Sequence, residues 1–236
     1  MNHAIIVAGG IGTRMKSAVP KQFIEVQGIP IIMYSIIKFF RSGLIDSIVI
    51  VLADEWRDYM EHQIEKEGIT CRVMFAKSGV SRQHSVLNGL TTLSEYAHDN
   101  DIVLVHDSVR PLFPISNIQD GISVCQSFDA ALPVIPVKDA TYQSVDGKTI
   151  SSLLPRHELF SGQSPECFVF GKFFQAHRNF SDDDIRGIRG CSELALKAGL
   201  SVRLIAGMEQ NIKITTIEDL RAFEVVQSTI TTDKTI

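Results

Sequence analysis

The chain has 236 residues, of which 44% are hydrophobic and 21% charged, an ordinary globular balance that can fill a sizeable core. The formal net charge of −4 argues against a general nucleic-acid or anionic-membrane binder, so a phosphate ligand must be met by locally placed cations. No apolar run approaches the ~20 residues of a membrane helix, and no basic leader precedes the first apolar run, Ala4-Ile5-Ile6-Val7, so no signal peptide is expected. Cys71, Cys125, Cys167 and Cys191 are widely spaced with no CxxC pair, which fits reduced thiols and a cytoplasmic setting.

In chain order, short β-branched runs alternate with longer amphipathic stretches. Strands are expected at Ala4–Val7, Ser47–Leu52, Arg72–Phe75, Ile102–Val105 and Ala130–Val134, and helices at Ile31–Arg41, Glu55–Glu67, Arg82–Tyr96 and Ile115–Ser127. Pro30 suits the start of the first helix, where its missing N–H costs nothing. The strands are almost wholly apolar, as in a parallel sheet covered by helices on both faces. The pattern is that of an α/β, Rossmann-like, doubly wound and mostly parallel sheet. After Pro136 the pattern changes. Thr141–Val145 and Thr149–Leu153 flank Asp146-Gly147 and predict a hairpin. Its strands are polar, so it reads either as a protruding arm over residues 139–160 or as a plain surface hairpin. A strand at Val202–Ala206 and a helix from Ile217 to about Gln227 close a single domain over residues 1–228. The threonine-rich residues 229–236 are expected to fray.

The first strand runs into Ala8-Gly9-Gly10-Ile11-Gly12-Thr13-Arg14-Met15. Its glycines allow a tight turn and a close backbone approach, with successive N–H groups available to phosphate oxygens. Neither the GxGxxG fingerprint nor a GxxxxGK loop is matched. The cations distinguish it: Arg14, Lys16 and then Val19-Pro20-Lys21-Gln22-Phe23. A unit charge pair about 4 Å apart gains ~4 kcal/mol at an effective dielectric of ~20, so a few placed cations outweigh a weakly acidic chain. A second signal is His106-Asp107-Ser108-Val109-Arg110-Pro111, at the carboxyl end of a buried strand where open α/β sheets bind ligands. Asp107 suits Mg²⁺ or a structural pair with Arg110, and His106 reads as a packed strand-end residue. In Asn211-Ile212-Lys213-Ile214-Thr215, strand alternation puts Asn211 and Lys213 on one side, with Lys213 reaching phosphate or solvent. In the stretch Ser78–Val86, Gly79 and Ser81 lead into a helix, where they read a ligand or Ser81 simply caps. The run Ser181–Asp184 reads as a solvated acidic loop.

Together these motifs resemble the cytidylyltransferases that make CDP-linked polyols, the 2-C-methyl-D-erythritol 4-phosphate enzymes and their relatives acting on D-ribitol 5-phosphate. The resemblance spans nearly the whole chain in order: Ala8–Met15, Lys21-Gln22-Phe23, Gly79 through Ser85-Val86, His106-Asp107 with Arg110-Pro111, Arg156, Ser164-Pro165, and Asn211–Thr215 followed by Glu218-Asp219-Leu220. It implies a homodimer with exchanged hairpin arms and a reaction of CTP with a small polyol phosphate that releases pyrophosphate. It also implies that Ala8, Gly9, Gly79 and Ser85 meet the cytidine, that Gly10 and Gly12 line the phosphate loop, and that Arg14, Lys21 and Lys213 act on the triphosphate. Asp107 is implied to hold Mg²⁺ and orient the acceptor, and Arg110 to bind the acceptor. Arg156 and Ser164, taken with the arm, are implied to complete the acceptor pocket of the other subunit. The chain departs from the erythritol enzymes at Ala140, at Ser164-Pro165-Glu166 and at Arg189-Gly190-Cys191, all in the acceptor half. Ala8–Gly12 and Gly162-Gln163 are similar to the ribitol phosphate enzymes, and favour that acceptor over methylerythritol phosphate. Two rivals stand beside this reading: a CTP-binding module without turnover, and a transferase for another nucleotide.

Overall fold

A computed structural model describes residues 1–10 and 19–233. Strand β1 (Asn2–Val7) is followed by a small hairpin, β2 (Glu25–Val26) and β3 (Ile29–Pro30), whose turn uses Gln27 and Gly28 at positive φ. Helix α1 (Ile31–Arg41), strand β4 (Ser47–Leu52), helix α2 (Arg57–Lys66), strand β5 (Arg72–Lys77), helix α3 (Arg82–Leu93) and strand β6 (Ile102–Asp107) complete the first half. The chain steps outward from β1 through β4 to β5, then returns to place β6 on the other side of β1. That reversal opens a crevice beyond the carboxyl ends of β1 and β6, where Val7 pairs in register with Asp107.

Helix α4 (Ile115–Val124) leads to β7 (Ala130–Pro136), and the arm carries β8 (Tyr142–Gln143) and β9 (Ser152–Leu153). Strands β10 (Phe160–Gly162) and β11 (Glu166–Val169) then return along β7. Helices α5 (Phe170–Asn179), α6 (Asp182–Gly187) and α7 (Cys191–Lys197), strand β12 (Val202–Ala206) and helix α8 (Ile217–Asp233) finish the chain. The eight-stranded sheet runs β10-β7-β11-β6-β1-β4-β5, with β12 parallel to β7. Only β10 and β11 run against the rest.

Alternation along the strands builds two cores. Ala4, Ile6, Ile48, Ile50 and Leu104 face α1, α2 and α4, while Ile5, Val49, Val51, Val103 and Val105 face α3, α5 and α7. Phe168 stacks on Phe173 with ring centroids 3.8 Å apart and fills the second core beneath β11. A third cluster of Val26, Ile31, Val109, Ile214, Leu220 and Phe223 docks α8. Tyr34 meets Phe223 edge-on there. Thr216 and Asp219 cap that helix reciprocally, Oγ1 of Thr216 accepting from Asp219 N–H and Oδ2 of Asp219 accepting from Thr216 N–H.

The expected strands and helices of the first half are present, with ends shifted by a few residues. The second half needs four corrections. The arm's strands shrink to two residues each, because polar side chains without a sheet beneath them gain little from pairing; Asp146 instead closes the loop by accepting from Lys148 N–H and Thr149 N–H. Residues Asn211–Thr215 are not a strand. Helix α8 continues past Gln227 to Asp233, through part of the expected fraying tail. Strands β10 and β11 and helices α5 to α7 had no counterpart in the expected elements. Among the described residues no helix is long and apolar enough to cross a membrane.

Gly89 tests the packing of α3 on the sheet. A Cβ there would stand 2.8 Å from Cγ2 of Ile5 and 3.0 Å from Cγ2 of Val51. Alanine is the better helix former by ~1 kcal/mol, but overpacking a tight core costs about 1–3 kcal/mol. Gly89→Ala is therefore expected to lower unfolding free energy by up to roughly 2 kcal/mol in urea titration, the overpacking cost less the helix-propensity gain; a stabilised variant would contradict this packing.

Candidate active site

A cavity of about 480 Å³ opens at the carboxyl edge of β1 and β6, lined by residues that include Gly9, Gly10, Lys21, Gly79, Ser85, Asp107 and Lys213. Local structure fixes each of them. Ala8 is buried and its N–H continues the ladder to Val51 O at 2.7 Å. A Cβ on Gly9 would lie 2.4 Å from Cβ of Ser78, and one on Gly79 would lie 2.4 Å from Cβ of His84, so both close approaches require glycine. Lys21 opens a short 3-10 turn over Lys21–Phe23. Phe23 anchors that turn by stacking on Trp56, centroids 4.2 Å apart. Buried Gln22 donates through Nε2 to Ala8 O and Gly10 O at 2.6 and 2.9 Å, tying the turn to the glycine loop. Lys21 Nζ donates to Ile214 O at 3.0 Å. Gly12 and Arg14 lie outside the described residues.

At the start of α3, Ser81 is the N-cap and accepts from His84 N–H, so the capping reading of Ser81 holds. Ser85 Oγ accepts from Gly79 N–H at 2.9 Å and donates to Ser81 O at 3.1 Å. This braces the Gly79 turn at the cavity wall.

The centre of the site is Asp107, whose side chain is 14% exposed. Oδ1 accepts from Arg82 at 3.2 Å, Oδ2 accepts from Lys213 Nζ at 2.9 Å, and Nε of Arg110 stands 3.6 Å from Oδ2. Burial alone would raise its pKa, but Arg82, Lys213 and Arg110 hold it far below the usual carboxylate range. Arg110 also donates to Asn211 O at 2.8 Å, so the paired, structural reading of Arg110 holds together with its place at a cavity wall. Lys213 is 38% exposed and faces Asp107, neither solvent alone nor a strand neighbour. Buried Asn211 donates to Ser164 O at 2.9 Å, which locks the loop bearing Lys213 onto the β10–β11 connection.

His106 is fully buried against Phe39 and Phe113. Burial, offset in part by Asp107 and reinforced by Arg110, pushes its pKa down to about 3. The imidazole is thus neutral. Nε2 lies 3.1 Å from Arg110 O, which can only accept, so Nε2 carries the proton and Nδ1 accepts from Ser164 Oγ at 3.0 Å. Ser164 Oγ in turn accepts from Asp107 N–H at 3.2 Å. His106 is a packed strand-end residue, as the sequence suggests, and the hydroxyl of Ser164 is spent on holding Asp107.

A second cavity of about 250 Å³ adjoins the first and shares Arg82, Asp107 and Lys213 with it. Arg110, Ser164, Glu166 and Arg189 also line it. Arg156 is not at either cavity: it is exposed on the arm and donates to Lys138 O at 2.7 Å. Ser164 lies outside the arm, between β10 and β11 of the same chain, so the two residues that the resemblance groups together are separated. Sequence reasoning assigned no role to Arg82, Gln22 or Glu166. All three sit inside quoted motifs, but their partners are distant in sequence.

An α/β sheet with a glycine-bearing, lysine-lined cavity at its carboxyl edge and a buried, cation-ringed aspartate is the architecture of a nucleotidyltransferase. Comparison with known proteins agrees. Residues 2–228 match the family described as IspD, 2-C-methyl-D-erythritol 4-phosphate cytidylyltransferase. The chain is 36% identical to 2-C-methyl-D-erythritol 4-phosphate cytidylyltransferase of Clostridium kluyveri, over 93% of each chain. It is 34% identical to ribitol-5-phosphate cytidylyltransferase of Vibrio parahaemolyticus, over 97% of each. The crystal structure of 4-diphosphocytidyl-2C-methyl-D-erythritol synthase from Anaerococcus prevotii shares the fold, with TM-score 0.79 at 22% identity, over 96% of this chain and 98% of that one. The chain belongs to the IspD family of CTP-dependent cytidylyltransferases.

The neutral, buried His106 carries a pH dependence. Burial likewise pushes His177 down to about 4. An unfolded histidine takes up a proton near pH 6.5, whereas these two stay neutral in the fold. Their contribution is therefore fully present above pH 6.5 and lost as pH falls toward 3–4, at roughly 1.4 kcal/mol per pH unit for each. Unfolding free energy measured between pH 7 and 4.5 is expected to fall accordingly; a flat profile would contradict a neutral His106.

Proposed function

We propose that the chain transfers the cytidylyl group of CTP to D-ribitol 5-phosphate, giving CDP-ribitol and pyrophosphate. The observation that carries this reading is the shared wall: Asp107, Arg82 and Lys213 border both the larger and the smaller cavity. Two anionic substrates brought together need their reacting ends at one cationic boundary. CTP fits the larger cavity, with Ala8, Gly9, Gly79 and Ser85 toward the nucleoside and Gly10, Lys21 and Lys213 toward the triphosphate; the resemblance adds Gly12 and Arg14, which lie outside the described residues, to the triphosphate set. The polyol phosphate fits the smaller one. Ala8–Gly12 and Gly162-Gln163, together with relatives named ribitol-5-phosphate cytidylyltransferase at 33–34% identity, favour a pentitol phosphate. The relatives named 2-C-methyl-D-erythritol 4-phosphate cytidylyltransferase at 35–36% identity make methylerythritol phosphate the second reading.

The acceptor's phosphate oxygen is already anionic and needs no strong base. It attacks the α-phosphorus, and the bond from that phosphorus to the bridging oxygen of the departing pyrophosphate breaks. Lys21, Lys213 and Arg82 gain by holding the charge that builds on the phosphoryl oxygens. Asp107 is the one carboxylate lining the larger cavity among the described residues. That suits Mg²⁺, which takes one or two protein carboxylates and completes its shell with phosphate oxygens and water. When bound, Mg²⁺ would supply charge neutralisation at the phosphates. Tyr142, Val145, Ile150 and Leu153 expose apolar surface on the arm, which supports a homodimer in which the arm, and Arg156 on it, meets a second copy.

With CTP, Mg²⁺ and D-ribitol 5-phosphate, pyrophosphate release is expected, and GTP, UTP and dTTP should be poor substitutes. Lys21→Ala and Asp107→Ala should each lower kcat/KM by about 10²-fold or more while circular dichroism shows an intact fold. Full activity in either variant would overturn its role. Turnover with methylerythritol phosphate alone would move the assignment to the second reading, and tight CTP binding without any turnover would make the chain a binding module.

A further inference from the structure

We infer that Glu166 selects the acceptor by receiving hydrogen bonds from its hydroxyl groups, so that the smaller cavity takes a polyhydroxylated chain with its phosphate turned away from Glu166. The inference rests on the cytidylyl-transfer reading above. Glu166 opens β11 and is buried, 6% exposed, at the wall of the smaller cavity. Its Oε2 is fixed by two donors, Ser192 N–H at 2.9 Å and Ser192 Oγ–H at 2.6 Å. Its Oε1 accepts from Nη2 of Arg82 at a long 3.5 Å, the one polar contact it has among the described residues, which leaves lone-pair capacity for a second donor. A carboxylate oxygen with spare capacity at a cavity wall favours a ligand that brings a donor, because a hydrogen bond to a charged group is a strong one.

The chemistry of the cavity restricts what that donor can be. A phosphate dianion has no hydrogen to give and is repelled by a carboxylate. The acceptor's phosphate therefore belongs against the cations of the wall, Lys213 and Arg110, and not against Glu166. A methyl group set against Oε1 would leave that capacity unfilled. An alcohol is a neutral donor and fits. Ser164 cannot serve instead, since its hydroxyl is committed to His106. Gln163 is likewise committed, to Met208 and Asn211. Leu132 is the one apolar side chain at this wall among the described residues. The cavity is thus built for hydroxyls.

The test measures kcat/KM by pyrophosphate release for D-ribitol 5-phosphate and its 2-, 3- and 4-deoxy analogues, with the wild type and Glu166→Gln. In the wild type at least one deoxy analogue is expected to lose roughly 10- to 100-fold, the worth of a hydrogen bond to a charged group. In Glu166→Gln the parent acceptor should lose a similar factor, chiefly through KM, and the penalty for that same deoxy position should shrink to a few-fold. A merely structural role would lower all four acceptors alike, and that parallel loss would overturn the inference. So would a wild type that tolerates every deoxy analogue, a result that needs no variant to fold. Wild-type enzyme that turns over none of these acceptors with CTP would instead overturn the function on which the inference rests.

Discussion

The site depends on one constraint: Asp107 is a carboxylate placed almost out of water at the end of a buried strand. Left unpaired there it would cost several kcal/mol and would take up a proton instead. Arg82 from α3, Arg110 from the loop after β6 and Lys213 from the loop before α8 prevent that. These cations come from three separate parts of the chain. The pairing that keeps Asp107 ionised therefore also fixes how the glycine-rich edge, the β6 loop and the C-terminal loop sit relative to one another. Glu166 adds a second carboxylate at the far side of Arg82, and Lys21 adds a further cation across the cavity. Positive charge stays in excess locally in a chain whose net charge is −4, as a polyanionic substrate requires.

The three partners of Asp107 are not equivalent. Arg82 is buried further, 24% exposed against 38% for Lys213, and is held by Glu166 and Cys191 as well. Burial keeps the Cys191 thiol protonated, with its pKa pushed up to about 12 despite the neighbouring guanidinium. Arg82 is thus built in. Lys213 keeps its ammonium at the cavity mouth on a flexible stem, where a phosphate can compete with Asp107 for it at small desolvation cost.

The glycine-bearing wall of the larger cavity was legible in the sequence because its signals are local. The turn after β1 and the Ser78–Ser85 stretch each carry their glycines, caps and cations within a few residues. Apolar, β-branched strands likewise announce a buried parallel sheet. What was not legible depends on distant pairing. Arg82 reads as one more helix-start residue until Asp107 and Glu166, 25 and 84 positions away, are placed beside it. Gln22 shows no role until Ala8 O and Gly10 O are seen to converge on it. Lys213, taken alone, leaves phosphate and solvent both open for the same reason. The strands β10 and β11 are short, mixed in polarity and interrupted at Gln163–Pro165, so neither period 2 nor an apolar run marks them.

This difference follows from how the sheet is assembled. The larger cavity stands on the carboxyl ends of parallel strands, and any chain that folds into this sheet must present backbone N–H groups there. The smaller cavity stands on the antiparallel strand that carries Glu166, on the loop before α7 and on Lys213, as well as on Arg82, Asp107 and Arg110. None of the first three belongs to the parallel strands, yet Glu166 and Lys213 reach back to the β1–β6 crevice through Arg82 and Asp107. The hydrogen bonds from Asn211 to Ser164 and from Ser164 to His106 are what bring this outer layer into register with Asp107. Neither Glu166 nor Arg189 takes part in these bonds. The departures of this chain from its relatives fall in that outer layer and in the Ala140 region, where a family with one nucleotide chemistry can serve more than one polyol phosphate.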